Sequence, residues 1–244
     1  MIGLTLDKKE KVTSGGQRDV YLHPYDSTKL VKVLKPQQDI PRRYNFNGLA
    51  TRFFPSTRIR QIRKEYQEYL RVCLNHPAPN FNAPFSHMHG FVVTNLGLGC
   101  LTERVIAPDG TLGKTLGEKV RTGDFTDADL ELLNNCIGRI YDYEIRASDL
   151  NANNFVFGCR SNVHMHGPVE CVLVDGIGDI HAIPIRSMAR WSNRLGLNDS
   201  CARLARKTHL HWDSRLRKLA RPTLSTPPRA WLRDGHTPLG APDA

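Results

Sequence analysis

Near the start of the chain the apolar positions come in short β-rich runs. Val20-Tyr21-Leu22 and Leu30-Val31-Lys32-Val33-Leu34 are separated by the turn-forming segment His23-Pro24-Tyr25-Asp26-Ser27, which predicts a hairpin. Residues 36–55, rich in Pro, Asn and Arg, carry no period and read as an irregular loop. The period then changes. With Ser56 as N-cap, Ile59, Ile62, Tyr66, Tyr69, Leu70 and Cys73 fall in one stripe about 100° wide, so an amphipathic helix is predicted to end before His76-Pro77. Phe91–Thr94 and Cys100–Ile106 then read as two strands joined through the Gly97/Gly99 turn.

A second helix is predicted to start near Thr126, where Thr126 and Asp129 form a capping-box pattern, with Leu130, Leu133, Ile137, Ile140 and Tyr141 along its core stripe. Phe155–Phe157 and Cys171–Val174 are strand candidates flanking the polar turn 158–168, a hairpin beneath a site. Beyond Arg186 a basic helical region is expected to about Leu219, and the Pro-rich end, 221–244, reads as a disordered tail. There is no internal repeat.

Composition narrows the class. The 244 residues, 40% hydrophobic and 24% charged, suffice for one sizeable core or two small lobes, and no run approaches the roughly 18 apolar residues of a membrane span. The first ten residues lack a basic leader followed by an apolar run, so a cytoplasmic location is expected. The six cysteines form no CxxC pair and sit among apolar neighbours, as buried thiols without disulfides would. Residues 186–244 hold 12 Lys+Arg against 4 Asp+Glu, so +8 of the net +10 lies in the last quarter. That asymmetry raises nucleic acid or an anionic membrane surface as partners through the basic C-terminal region. Trp191, Trp212 and Trp231 would be available for stacking. The plainer reading, which we prefer, is a solvated basic face with Leu204, Leu216 and Leu219 packed inward; no helix-turn-helix, zinc-finger or RNA-recognition pattern accompanies it.

The segment Ser148 to Phe157 sets an Asp, then an Asn five residues later, then an apolar strand. Standing alone, an Asx turn leading into a strand explains it equally well. It resembles the catalytic loop of protein kinases, which implies that Asp149 orients and deprotonates an attacking hydroxyl while Asn154 binds a metal. Asp175-Gly176 follows the apolar run Cys171–Val174, where the same resemblance sets a metal-chelating aspartate. A strand-ending Asp-Gly turn is the plain alternative there. Asp149, Asn154 and Asp175 would surround Mg²⁺ with the hard oxygens that ion takes.

Lys32 alternates with Val31 and Val33 and resembles the lysine that holds nucleotide phosphates, with Lys29 and Lys35 as neighbouring alternatives. Its expected partner is a helix glutamate. Glu65 borders the apolar stripe about 40° from Tyr69, whereas Glu68 lies on the far side, so helical geometry selects Glu65; a surface pair with a nearby arginine is the alternative. Gly15 and Gly16, just before a strand, stand where a kinase glycine loop approaches phosphates, although any hairpin accommodates two glycines. Glu103 and Val105 fall, by order along the chain, where a kinase hinge meets adenine.

The succession of glycine loop, Lys, helix Glu, hinge, D-x-x-x-x-N, strand and Asp-Gly spans residues 12–180. More narrowly the chain resembles the YrbL family, bacterial proteins of kinase-like fold linked by name to the PhoP regulatory network. Val31-Lys32-Val33, Arg63–Tyr69, Leu101-Thr102-Glu103 and Val174–Gly178 carry that resemblance. It implies a bilobal α+β protein-kinase-like fold with a reduced helical C-terminal lobe. The expected division is an N-terminal lobe over 1–106, a C-terminal lobe over 107–220 and the tail 221–244. The implied activity is Mg²⁺-dependent transfer of the ATP γ-phosphoryl group to a hydroxyl of a small molecule, sugar or protein, possible in a stress or envelope response. The alternative is a noncatalytic module that binds a partner protein or nucleotide.

The departures from the kinase pattern are informative. Arg146-Ala147-Ser148 precedes Asp149 in place of His-Arg, Asn151 replaces a lysine, Gly176 replaces the phenylalanine of D-F-G, and no Ala-Pro-Glu follows. These changes argue against activation-loop control and a peptide platform. Three His-x-His pairs, at 87/89, 164/166 and 209/211, raise zinc, but no further ligands stand at recognisable spacing.

Overall fold

The computed structural model describes residues 3–36, 56–78, 81–162, 165–179, 186 and 189–222. Most of the expected irregular loop, residues 37–55, lies outside that set, as do His164, Trp231 and residues 223–244 of the expected tail. The upper part is a five-stranded antiparallel sheet in the order β1-β2-β3-β5-β4. Its strands are β1 (Lys11–Ser14), β2 (Arg18–Leu22), β3 (Lys29–Leu34), β4 (Met88–Thr94) and β5 (Gly97–Glu103). Alternation sorts the two faces. Leu6, Tyr21, Val31 and Val33 form one small core on one face, while Lys32, opposite Val20 on one neighbour and Cys100 on the other, is turned to the second face. The predicted hairpins over 20–34 and 91–106 are both present, although the second stops at Glu103 and Val105–Ile106 form a separate short strand, β6, that pairs elsewhere.

Helix α1 (Ser56–Asn75) follows β3, as the period predicts, but its burial is rotated from its apolar stripe by on the order of 90°. Among its described side chains the most buried are Glu65, Glu68 and Val72, whereas Leu70 within the stripe is exposed. The expectation that Glu68 faces away from the protein is corrected. Its carboxylate accepts from Arg71 and from the backbone N–H of Arg146 at 2.8 Å, so ion pairing and a backbone donor decide its place rather than hydropathy.

Below the sheet, β6 (Val105–Ile106) and β7 (Lys114–Thr115) pair with the long strand β8 (Phe155–Asn162), which also pairs with β9 (Met165–His166) and β10 (Glu170–Leu173). Helix α2 (Leu116–Thr122) was not foreseen from the sequence. Helix α3 (Asp127–Asp142) starts at the predicted Thr126 cap, where both hydrogen bonds of the Thr126/Asp129 capping box form. It runs through the main core, burying Leu133, Ile137 and Ile140 among Phe85, Phe155, Leu173, Leu197 and Leu204. This is an α+β architecture, an antiparallel sheet above and few helices below.

The expected basic helix to Leu219 is shorter. Helix α4 (Arg190–Lys207) ends at Thr208, and the chain returns as a hairpin of β11 (His211–Asp213) and β12 (Lys218–Ala220). Asn134 on α3 holds that hairpin by bonding both backbone groups of Leu219, at 2.7 and 2.9 Å. Leu204 and Leu219 are buried as expected, but Leu216, at the hairpin tip, is 69% exposed. Trp212 is drawn inward to stack on Tyr141 and is not a surface platform. Among the described residues no helix is long and apolar enough to cross a membrane, and no group of three or more His, Cys, Asp or Glu side chains gathers as a metal site.

Candidate active site

Two loops of the lower lobe are stitched together under the sheet. The backbone N–H of Ser148 and that of Gly178 donate to Gly176 O and Arg146 O, and Val174 N–H donates to Asn154 O at 2.8 Å. Gly176 has φ +88°, and a Cβ there would lie 2.3 Å from Asp149 O. Gly178 has φ +95° and lies against the Lys64 carbonyl of α1. Both positions therefore require glycine, which explains why no phenylalanine follows Asp175. The same contacts set Asp149, Asn154 and Asp175 around one end of a cleft.

Asn154 Nδ2 donates to Asp149 O at 3.0 Å, so Oδ1 is the atom its amide has left to offer a cation. Asp175 Oδ1 accepts from Gly176 N–H at 2.7 Å and from Arg18 Nη2 at 3.0 Å. Burial opposes ionisation of Asp175, but the Arg18 and Lys32 charges and the Gly176 N–H overcome it and hold the carboxyl below the usual carboxylate range. Asp149 is shifted the other way: desolvation, then the nearby Asp175 charge, raises its pKa, against the pull of Lys207 and Arg203. Two neighbouring carboxyls are thus pushed apart, one kept as an anion and one made more basic.

The expected Lys32–Glu65 pair is corrected. Lys32 Nζ donates to the backbone O of Val174 at 2.6 Å. Glu65 is instead held by Arg18, whose Nη1 and Nη2 reach its two oxygens at 2.9 and 2.5 Å. A guanidinium fork matches a carboxylate in a way that an ammonium cannot, and Arg18 reaches the helix first. Burial and Asp175 push the Glu65 carboxyl up, against the attraction of Arg18. Arg18 was missed in the sequence, although strand period could have placed it. It lies two residues from Val20, which pairs with Lys32, so all three share the cleft face.

The cleft between sheet and lower lobe measures about 550 Å³. Val12, Val20 and Leu30 above and Val156 and Val174 below give it an apolar slot, with Glu103 and Val105 at its back and Lys32, Arg18, Asn154 and Asp175 at its inner end. The Glu103 side chain itself is turned into the protein, where Arg160 Nη1 holds it at 2.7 Å, so only its backbone borders the slot. A second cavity of about 600 Å³ continues past Asp175 to Asp149 under the Gly15-Gly16 turn. Lys35 braces that turn by donating to Gly15 O at 2.6 Å.

Comparison with known proteins settles the family. Residues 4–209 match the family described as PhoP regulatory network protein YrbL. The chain belongs to the YrbL family. Among solved structures, it is similar to the PknI kinase domain of Mycobacterium tuberculosis, at 15% identity and TM-score 0.41, over 80% of this chain and 70% of that one. It is also similar to the PpkA-294 apo form, at 16% identity and TM-score 0.43, over 80% of this chain and 61% of the other. No curated protein matches the sequence.

Helix α4 brings a second group to the site that sequence order alone did not place. Arg186 donates to Ala147 O and to Ser200 Oγ, and Arg203 donates to the same hydroxyl at 3.0 Å, so the basic end of α4 lies under the Asp149 loop.

Proposed function

We propose that this YrbL-family chain binds ATP with Mg²⁺ in the cleft and transfers the γ-phosphoryl group to a hydroxyl. The acceptor would be a small molecule, sugar or protein of a bacterial stress or envelope response. One observation carries the reading: Asn154 and, from a second loop, Asp175 stand at the cationic inner end of an apolar slot sized for a nucleotide, and Asp149, on the loop of Asn154, lines the adjoining cavity with them. The donor set fits the metal, because a carboxylate and an amide oxygen are hard ligands that leave positions for phosphate oxygens and water. Mg²⁺, when bound there, would neutralise phosphate charge.

The protein's own part is positioning and proton transfer. Asp149 accepts the acceptor hydroxyl's proton. The oxygen thus activated bonds to the γ-phosphorus as the bond to the β–γ bridging oxygen breaks, and ADP leaves. Lys32 steadies the phosphates, and the walls of the slot exclude water from them.

Thermal shift of the full chain with ATP, with and without Mg²⁺, tests the binding step. Mg²⁺-dependent stabilisation that disappears in Asp175→Ala supports the reading, and no shift at millimolar ATP overturns it. Loss of phosphoryl transfer in Asp149→Ala with nucleotide binding retained supports the catalytic half. Nucleotide binding by wild type without any transfer favours a noncatalytic module.

A further inference from the structure

We propose that Arg18, and not Lys32, is the cation that ties the sheet to α1 through Glu65, which leaves Lys32 to the phosphates of the nucleotide. The inference rests on the nucleotide reading above. The two cations stand side by side, since Arg18 and Lys32 flank Val20 on one face of the sheet. Their surroundings differ. Arg18 is 8% exposed, and the hydrogen bonds described for its side chain all go to anions: both oxygens of Glu65 and, through Nη2, Asp175 Oδ1. One guanidinium therefore fixes α1 and the metal-side carboxylate relative to β2.

Moving Arg18 would leave the buried Glu65 charge without its fork, and an uncompensated buried charge is strongly destabilising. Lys32 is held by a single neutral acceptor, Val174 O. A phosphate oxygen offers the ammonium a full opposite charge where the Val174 carbonyl offers only a dipole, so Lys32 exchanges Val174 for phosphate readily. Arg18 is thus a positioning residue acting through Glu65 and Asp175, and Lys32 is the group that touches nucleotide.

Double-mutant cycles on the full chain test this, read as the thermal midpoint without nucleotide and as the Mg·ATP concentration that gives half-maximal stabilisation. Arg18→Gln is expected to lower the midpoint by roughly 6 °C or more, with most of the loss recovered when Glu65→Gln is added, because the stranded charge is then gone. It should also raise the Mg²⁺ concentration needed for the nucleotide shift. Arg18→Lys, which keeps the charge and loses the fork, should restore part of both effects and serves if Arg18→Gln does not fold. Lys32→Gln should move the midpoint by roughly 2 °C or less, add independently to Glu65→Gln, and weaken Mg·ATP binding roughly tenfold or more. Coupling of Lys32 to Glu65 with additivity between Arg18 and Glu65 overturns the proposal, as does Mg·ATP affinity unchanged by Lys32→Gln. A wild-type midpoint unmoved by Mg·ATP overturns the nucleotide reading and the role of Lys32 with it. The cycle without nucleotide still decides for or against Arg18, so the two failures are distinct.

Discussion

Arg160 on β8 donates to Glu103 Oε2 at 2.7 Å, joining the last residue of the sheet to the lower lobe through a pair buried on both sides. The same guanidinium holds Glu170 at 2.8 Å and the carbonyls of Phe85 and Ala83. Arg160→Met strands a buried carboxylate and two carbonyls, so we expect a loss of about 3–5 kcal/mol in urea unfolding at neutral pH. Glu103→Gln should cost less, because Arg160 keeps its other acceptors. Equal costs for the two variants would show that Glu103 alone gives the arginine its value.

Gly176→Ala places a methyl 2.3 Å from Asp149 O at a φ of +88°. The strain is expected to destabilise the chain by about 2–3 kcal/mol. The loop can relieve it only by moving Asp149, so phosphoryl transfer should fall further than the midpoint alone explains. Wild-type stability in this variant would contradict the close packing of the two loops.

The raised pKa of Asp149 has a definite sign for stability. A carboxyl that is harder to ionise in the folded state than in the unfolded one weakens folding at neutral pH, and the penalty fades as the pH falls below the ordinary carboxylate range. Asp149 is exposed, so solvent screens most of that penalty, and Asp149→Asn should raise the midpoint by no more than about 1 °C at pH 7, with no gain near pH 3, while abolishing the proposed transfer. A lowered midpoint at pH 7 would mean that the Asp149 anion is stabilised by its surroundings.

Lys207 and Arg203 oppose that rise. Lys207→Met removes one of these cations, so the acid limb of the pH–rate profile should move to higher pH by roughly a few tenths of a unit. An unmoved limb would place Lys207 outside the field of Asp149.

At the start of α3, burial opposes ionisation of Asp129, but the Thr126 N–H and Lys119 overcome it and keep its carboxyl below the usual range. A depressed carboxyl contributes stability that is present above its unfolded pKa and lost as the pH falls through its folded one. Asp129→Asn should cost about 1 kcal/mol at pH 7, and the gap to wild type should close as the pH falls below the ordinary carboxylate range. A gap independent of pH would assign the effect to the cap's shape and not its charge.

What the sequence determined by itself were the features governed by neighbours along the chain. Alternation put Val31 and Val33 on one face and Lys32 on the other, the Thr126/Asp129 spacing announced the start of α3, and the motifs around Lys32, Glu65 and Asp175 announced the YrbL family. Tertiary structure decided what depends on contacts between distant segments. Helix α1 buried Glu65 and Glu68 in preference to its apolar stripe because Arg18, Arg71 and the Arg146 N–H were waiting there. Arg18 displaced Lys32 as the partner of Glu65, 47 residues away, because a bidentate fork outcompetes a point charge for a carboxylate. The basic end of α4 arrived beneath Asp149 through tertiary contacts such as those of Arg186 with Ala147 O and Ser200. Hydropathy carries no record of such pairings, since it scores each residue without its partner, and a buried charge is stable only by virtue of the partner.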